Sequence, residues 1–229
     1  MIGDSHTAAY RTLLNSVSLK LGVKVVEYEQ GGCAVVSLMA ADSPGCAQRQ
    51  EADLRNIESR ARPGDIVFLA SLRMPELQDV ALDQALSLLT PESHAAARAS
   101  AELTLARLAT ASVRVLIDAP KPLFKAPAGR CSDWFNQMNP ICAEGLTVER
   151  EQLERLRAPQ MQLLDQLQHE YPNLTVWDPF PLLCPGPVCS AYDTNGLPLF
   201  FDSNHLSGHG NRVLEPSFSD VLLSIWRRG

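Results

Sequence analysis

This sequence lacks any apolar run near the roughly 18 residues that would span a bilayer, so no membrane helix is expected within it. Lys and Arg number 20 against 26 Asp and Glu, a net charge of −6, and they form no basic stripe. That argues against a nucleic-acid partner. No Cys-x-x-Cys occurs, which removes the usual spacing of zinc ribbons and thioredoxin-like redox sites. Aromatic residues are sparse at 6%, and neither an internal repeat nor a low-complexity tract appears. No signal peptide is expected in these residues, because Met1 and Ile2 already read as the end of a strand. What remains is a chain of 229 residues, 45% hydrophobic and 20% charged, long enough for one sizeable core and best read as a single domain over 1–229.

Six cysteines are present: Cys33, Cys46, Cys131, Cys142, Cys184 and Cys189. Proximity groups them as 33 with 46, 131 with 142 and 184 with 189, although sequence alone fixes no connectivity. Their Pro- and Gly-rich surroundings, as in LLCPGPVCSAY, are poor core packing, which favours disulfides and an oxidising compartment over six free cytosolic thiols. An oxidised protein without its own export signal is expected to be part of a longer one.

Strand-like runs alternate with helical patterns. VKVVEY (23–28), DIVFLA (65–70), VRVLIDA (113–119) and LTVWD (174–178) are β-branched or apolar stretches of strand length. Helical periodicity covers about 8–21, 47–62, 92–111 and 148–170, with Pro159 predicting a break or kink in the last of these. A final helix follows Ser207. The alternation predicts an α/β fold in three layers, with helices on both faces of a parallel sheet. Only Met1 and Ile2 precede Gly3, so either the strand expected before the first helix is cut to a stub or the chain begins inside a natural domain.

Ligands of such sheets bind beyond the carboxyl ends of the strands, and GDSHT (3–7) puts Ser5 there. A serine hydroxyl needs a base to become a useful nucleophile. FFDSNHLSGHG (200–210) offers His205 as that base and Asp202 as the carboxylate that orients it. Simpler readings stand beside this one. Ser5 or Asp4 is an ordinary helix N-cap, and Ser207 caps the last helix. His6 is positional rather than basic, and His209 is a rival base with no acidic residue shortly before it.

Together, GDSH at the first strand–helix turn and DSNHLS before the last helix resemble the SGNH (GDSL-like) hydrolase superfamily. The stretch LLCPGPVCSAYDTNGLPLFFDSNHLSGHG is similar, more narrowly, to the extracytoplasmic SGNH domains attached to type 3 membrane acyltransferases, which O-acylate bacterial surface glycans. The resemblance implies a flavodoxin-like layout with Ser5 as nucleophile, His205 as general base and Asp202 as its partner. It places the family's glycine block at Gly32, with Gly31 the near alternative, in an oxyanion hole with the Ser5 N–H. The family's asparagine has no counterpart. FLASLRMPEL stands at that position, so Ser71 or Arg73 becomes the candidate substitute, with an ion-pair role the alternative for Arg73.

The expected activity is serine-dependent O-acyl transfer, most simply O-acetyl transfer, from an acylated donor to a surface polysaccharide such as lipopolysaccharide. Esterase action and non-catalytic glycan binding are the alternatives. No metal or organic cofactor is expected. The implied partner is a membrane acyltransferase domain in the same full-length chain. That would place this domain in the periplasm, tethered to the inner membrane.

Overall fold

The computed structural model describes residues 1–40, 42–77, 84, 87, 90–136 and 138–228. Its elements in order are β1 (Ile2–Gly3), α1 (Ser5–Ala9), α2 (Arg11–Leu21), β2 (Tyr28–Glu29), α3 (Pro44–Arg60), β3 (Ile66–Ala70), α4 (Pro91–Thr110) and β4 (Arg114–Asp118). There follow α5 (Ala128–Cys131), α6 (Pro140–Glu144), β5 (Thr147–Glu149), α7 (Arg150–Glu170), β6 (Leu174–Trp177), α8 (Phe180–Leu183), β7 (Val188–Ser190) and α9 (Gly208–Arg227).

Five strands form one parallel sheet in the order β2-β1-β3-β4-β6. This is the flavodoxin-like winding, in which strand order reverses between β1 and β3 and opens a crevice at their carboxyl ends. A separate antiparallel pair, β5 with β7, braces the cysteine-rich segment.

Alternation along each strand divides the core. Phe68, Ala70 and Leu116 face one layer with Leu13 and Val17 of α2 and Leu214, Phe218 and Leu222 of α9. Val67, Leu69, Val115 and Ile117 face the other with Leu54 of α3, Leu105 of α4 and Leu164 of α7. Strands buried on both faces read as continuous apolar runs, as those of β3 and β4 do. Gly3 is dictated by packing: a Cβ there would lie 1.7 Å from the Ala70 carbonyl oxygen on the neighbouring strand.

Some expectations change. The run 23–28 contributes only Tyr28 to a strand, and Val25 and Val26 are exposed. The first helix is divided at Tyr10, which is fully buried and points its hydroxyl at Asp118. α7 runs unbroken through Pro159. The cysteines form the disulfides Cys33–Cys46, Cys131–Cys142 and Cys184–Cys189. Among the described residues no helix is long and apolar enough to cross a membrane.

Candidate active site

The residues that meet at the crevice come from opposite ends of the chain. Asp4 follows β1 and caps α1: its Oδ1 accepts the His6 N–H at 2.9 Å, and its Oδ2 accepts the Leu72 N–H at 2.9 Å. One carboxylate thereby ties the start of α1 to the segment leaving β3. Burial pushes the Asp4 carboxyl up, but hydrogen bonds from His6 and Leu72 outweigh it and hold the pKa at about 2.

Ser5 stands next, and as the first residue of α1 its backbone N–H has no acceptor within the helix. Its Oγ lies 2.7 Å from His205 Nε2. The other ring nitrogen, Nδ1, is 2.8 Å from Asp202 Oδ2. The second oxygen of Asp202 accepts the backbone N–H groups of Asn204 and His205 at 3.0 and 2.8 Å, which locks the loop around the carboxylate. Burial raises the Asp202 pKa, whereas the bonds from His205 and Asn204 lower it further, leaving it at about 2. An ionised carboxylate only accepts, so Nδ1 carries the proton and Nε2 is free to accept from the Ser5 hydroxyl. The loop is held from outside as well: the Phe124 N–H donates to the Ser203 carbonyl at 2.8 Å and the Phe201 N–H to the His205 carbonyl at 2.7 Å.

Gly32 lies in a turn closed by the Cys33 N–H on the Gln30 carbonyl at 2.8 Å. The Gln30 N–H in turn reaches the Gly3 carbonyl at 2.8 Å, which sets this turn beside the end of β1. At φ 71° Gly32 occupies the left-handed region that side chains disfavour. Gly31 and Gly32 are both exposed.

Ser71 and Arg73 are both held by backbone groups around the end of β3. The Arg73 guanidinium is fully buried and commits all five N–H groups: to the carbonyls of Val36, Ser71, Val35 and Leu69 and to the Asp118 carboxylate. With all five engaged inside the protein, Arg73 has the bonding that its ion-pair alternative requires. Ser71 is buried too, with its Oγ accepting the Val35 N–H at 3.0 Å. Asp118 also receives Lys121 Nζ at 2.7 Å and the Tyr10 hydroxyl at 2.8 Å. Burial would raise the Asp118 pKa, but Lys121 and Arg73 bring it below the usual carboxylate range.

His209 is not beside Ser5. It bonds Asp193 Oδ2 at 2.8 Å, a partner 16 residues away that short spacing does not disclose. His6, in contrast, belongs to the site. Its ring stacks on that of His205 with centroids 4.4 Å apart and planes 23° from parallel, and its Nδ1 is 3.1 Å from Asp4 Oδ1. Burial depresses the His6 pKa despite that carboxylate. The contact is therefore a hydrogen bond from a neutral imidazole rather than an ion pair. Among the described residues no cluster of His, Cys, Asp or Glu is arranged to hold a metal.

A family model for the SGNH domain (fused to AT3 domains) matches residues 1–220. The chain belongs to this SGNH family. Among solved structures, this SGNH domain is similar to the periplasmic domain of a lipopolysaccharide acetyltransferase from Salmonella ser. Paratyphi A. The identity is 16% and the TM-score 0.60, over 97% of this chain and 82% of that one. It also resembles a candidate SGNH hydrolase from Slackia heliotrinireducens, at 16% identity and a TM-score of 0.53, over 96% of this chain and 95% of that one. No curated protein sequence matches the SGNH domain at a significant level.

Proposed function

We propose that this SGNH domain transfers an acyl group, acetyl in the simplest case, through an ester formed on Ser5. The observation that carries the reading is the unbroken run of contacts from Ser5 Oγ to His205 Nε2 and from His205 Nδ1 to Asp202. His205 accepts the hydroxyl proton as Ser5 attacks the acyl carbonyl. The imidazolium that forms is stabilised by Asp202, which is already ionised. The backbone N–H groups of Ser5 and Gly32 stabilise the tetrahedral oxyanion. Collapse expels the donor's alcohol, which takes its proton back from His205. A carbohydrate hydroxyl then enters by the reverse sequence, giving an O-acylated glycan and free Ser5.

The AT3 fusion in the family's description and the printed name of the Salmonella relative support transfer to a surface polysaccharide. They also support a domain that works in the periplasm beside a membrane acyltransferase domain of the same protein. Three disulfides accord with that compartment. Esterase action is the same chemistry with water as the second nucleophile. The test is incubation with an activated acetyl ester and candidate oligosaccharides, followed by mass spectrometry of the sugar and of Ser5. Acetylated sugar that appears with the wild type and vanishes with Ser5→Ala supports transfer. Acetate release without sugar acetylation makes the domain an esterase, and no turnover of either kind with folded protein overturns the reading.

A further inference from the structure

A small cavity is lined by, among others, His6, Ser71, Arg73, Lys121 and Asn204. It measures about 10 Å³, the space one water molecule requires. Two of these residues carry a buried side-chain atom with no hydrogen-bond partner among the described residues: His6 Nε2 and Asn204 Oδ1. Buried polar groups are rarely left this way, because an unmet one costs about 1–3 kcal/mol.

The chemistry of both atoms is fixed by what their other ends do. His6 Nδ1 faces the Asp4 carboxylate, which only accepts, so the proton sits on Nδ1 and Nε2 presents a lone pair. The Asn204 amide nitrogen donates to Glu76 Oε1 at 2.9 Å, which leaves Oδ1 as the acceptor. A group that satisfies both atoms must therefore donate twice. Lys121 gives Asp118 one of its three N–H groups, lines the same wall, and makes a cationic occupant unfavourable.

We propose that this cavity is a binding site for one water molecule, which donates to His6 Nε2 and Asn204 Oδ1 and accepts an N–H of Lys121. Three hydrogen bonds are typical of a buried water. The water bridges the start of α1, one residue after Ser5, to the loop one residue before His205. It makes His6 and Asn204 positioning residues, because His6 supports the His205 ring from its face. The effect on turnover rests on the acyl-transfer reading above, whereas the presence of the water does not.

The test combines a high-resolution crystal structure of the wild-type chain with kinetics of His6→Phe, Asn204→Leu and the double variant on an acetyl ester. The expected result is a solvent peak within about 3.2 Å of both atoms, lost in Asn204→Leu. Each single variant lowers kcat on the order of tenfold by loosening the geometry and changes KM less. The double variant falls no further than the worse single, because both remove one shared water. A dry wild-type cavity, a Lys121 amine bonded directly to His6, or fully additive losses overturn the proposal. If the variants do not fold, the wild-type peak and the ¹⁵N shifts of His6 decide, and a proton on Nε2 refutes it. A wild-type solvent peak in a protein that no fluorophosphonate labels keeps the water site and removes the acyl-transfer reading instead.

Discussion

Asp202→Asn is the sharpest perturbation of this site, because the local hydrogen bonds dictate how the amide must turn. Asp202 Oδ1 accepts two backbone N–H groups, from Asn204 and His205. An NH₂ group placed there would face both donors, so the amide keeps its oxygen at that position and turns its nitrogen toward His205 Nδ1. Nδ1 then has to accept, the ring proton moves to Nε2, and Nε2 can no longer take the proton of Ser5. The expected loss in kcat is about 10⁴-fold, the magnitude that a wrong tautomer of this kind brings. Asp202→Ala removes the carboxylate without forcing the tautomer, so it should retain more activity than Asp202→Asn. The assay is steady-state hydrolysis of a chromogenic acetyl ester, with ¹⁵N shifts of His205 to read the tautomer and circular dichroism to establish folding. A folded Asp202→Asn within tenfold of wild type, or one faster than Asp202→Ala, would refute the assignment.

Other perturbations separate structural from chemical roles. Gly3→Ala drives a Cβ to within 1.7 Å of the Ala70 carbonyl oxygen and should lower stability by about 3 kcal/mol or more, read as a lower midpoint in urea at unchanged slope. Arg73→Leu strands Asp118 beside Lys121 and should cost about 3–5 kcal/mol, with activity falling in proportion to the folded fraction; a stable variant with lowered kcat would return Arg73 to the chemistry. Stability should also decline in acid in two stages. The depressed pKa of His6 makes protonation costly in the folded state, so a loss begins as pH falls below its unfolded value near 6.5. Asp4 and Asp202 add stability that is complete above their unfolded value of 3.8 and lost as pH falls toward 2. That contribution is about 2 kcal/mol for Asp4 and less for Asp202, a third of whose side chain is exposed. Denaturant titrations from pH 8 to 2 check the order. Reduction of the three disulfides should remove on the order of 2–3 kcal/mol for each closed loop, seen as a lower Tm with dithiothreitol; an unchanged Tm would contradict it.

The parts legible in the sequence are those fixed by local pattern. The apolar runs at β3, β4 and β6 give strands within a residue or two of their expected ends, because β3 and β4 are buried on both faces and β6 is anchored by buried Leu174 and Trp177. VKVVEY shows the limit. Its β-branched residues suit a strand, yet only Tyr28 pairs with β1 in register, while Val25 and Val26 are exposed. Ser5, His205 and Asp202, proposed above as nucleophile, base and orienting acid, are visible because GDSH and DSNHLS are compact motifs. Their supports are not, because they act across long stretches of chain: Asp4 to Leu72, Asn204 to Glu76, Tyr10 to Asp118. Arg73 suits an oxyanion site from its position after β3, and the carbonyls that converge on its guanidinium are invisible in the sequence.

Covalent labelling of Ser5 tests the central claim most directly. Intact-mass analysis after incubation with a fluorophosphonate should show a single adduct on the wild type, mapped to Ser5, with none on Ser5→Ala and markedly slowed labelling of His205→Ala. Folded wild-type protein that stays unmodified, or carries its adduct on another residue, would contradict the account.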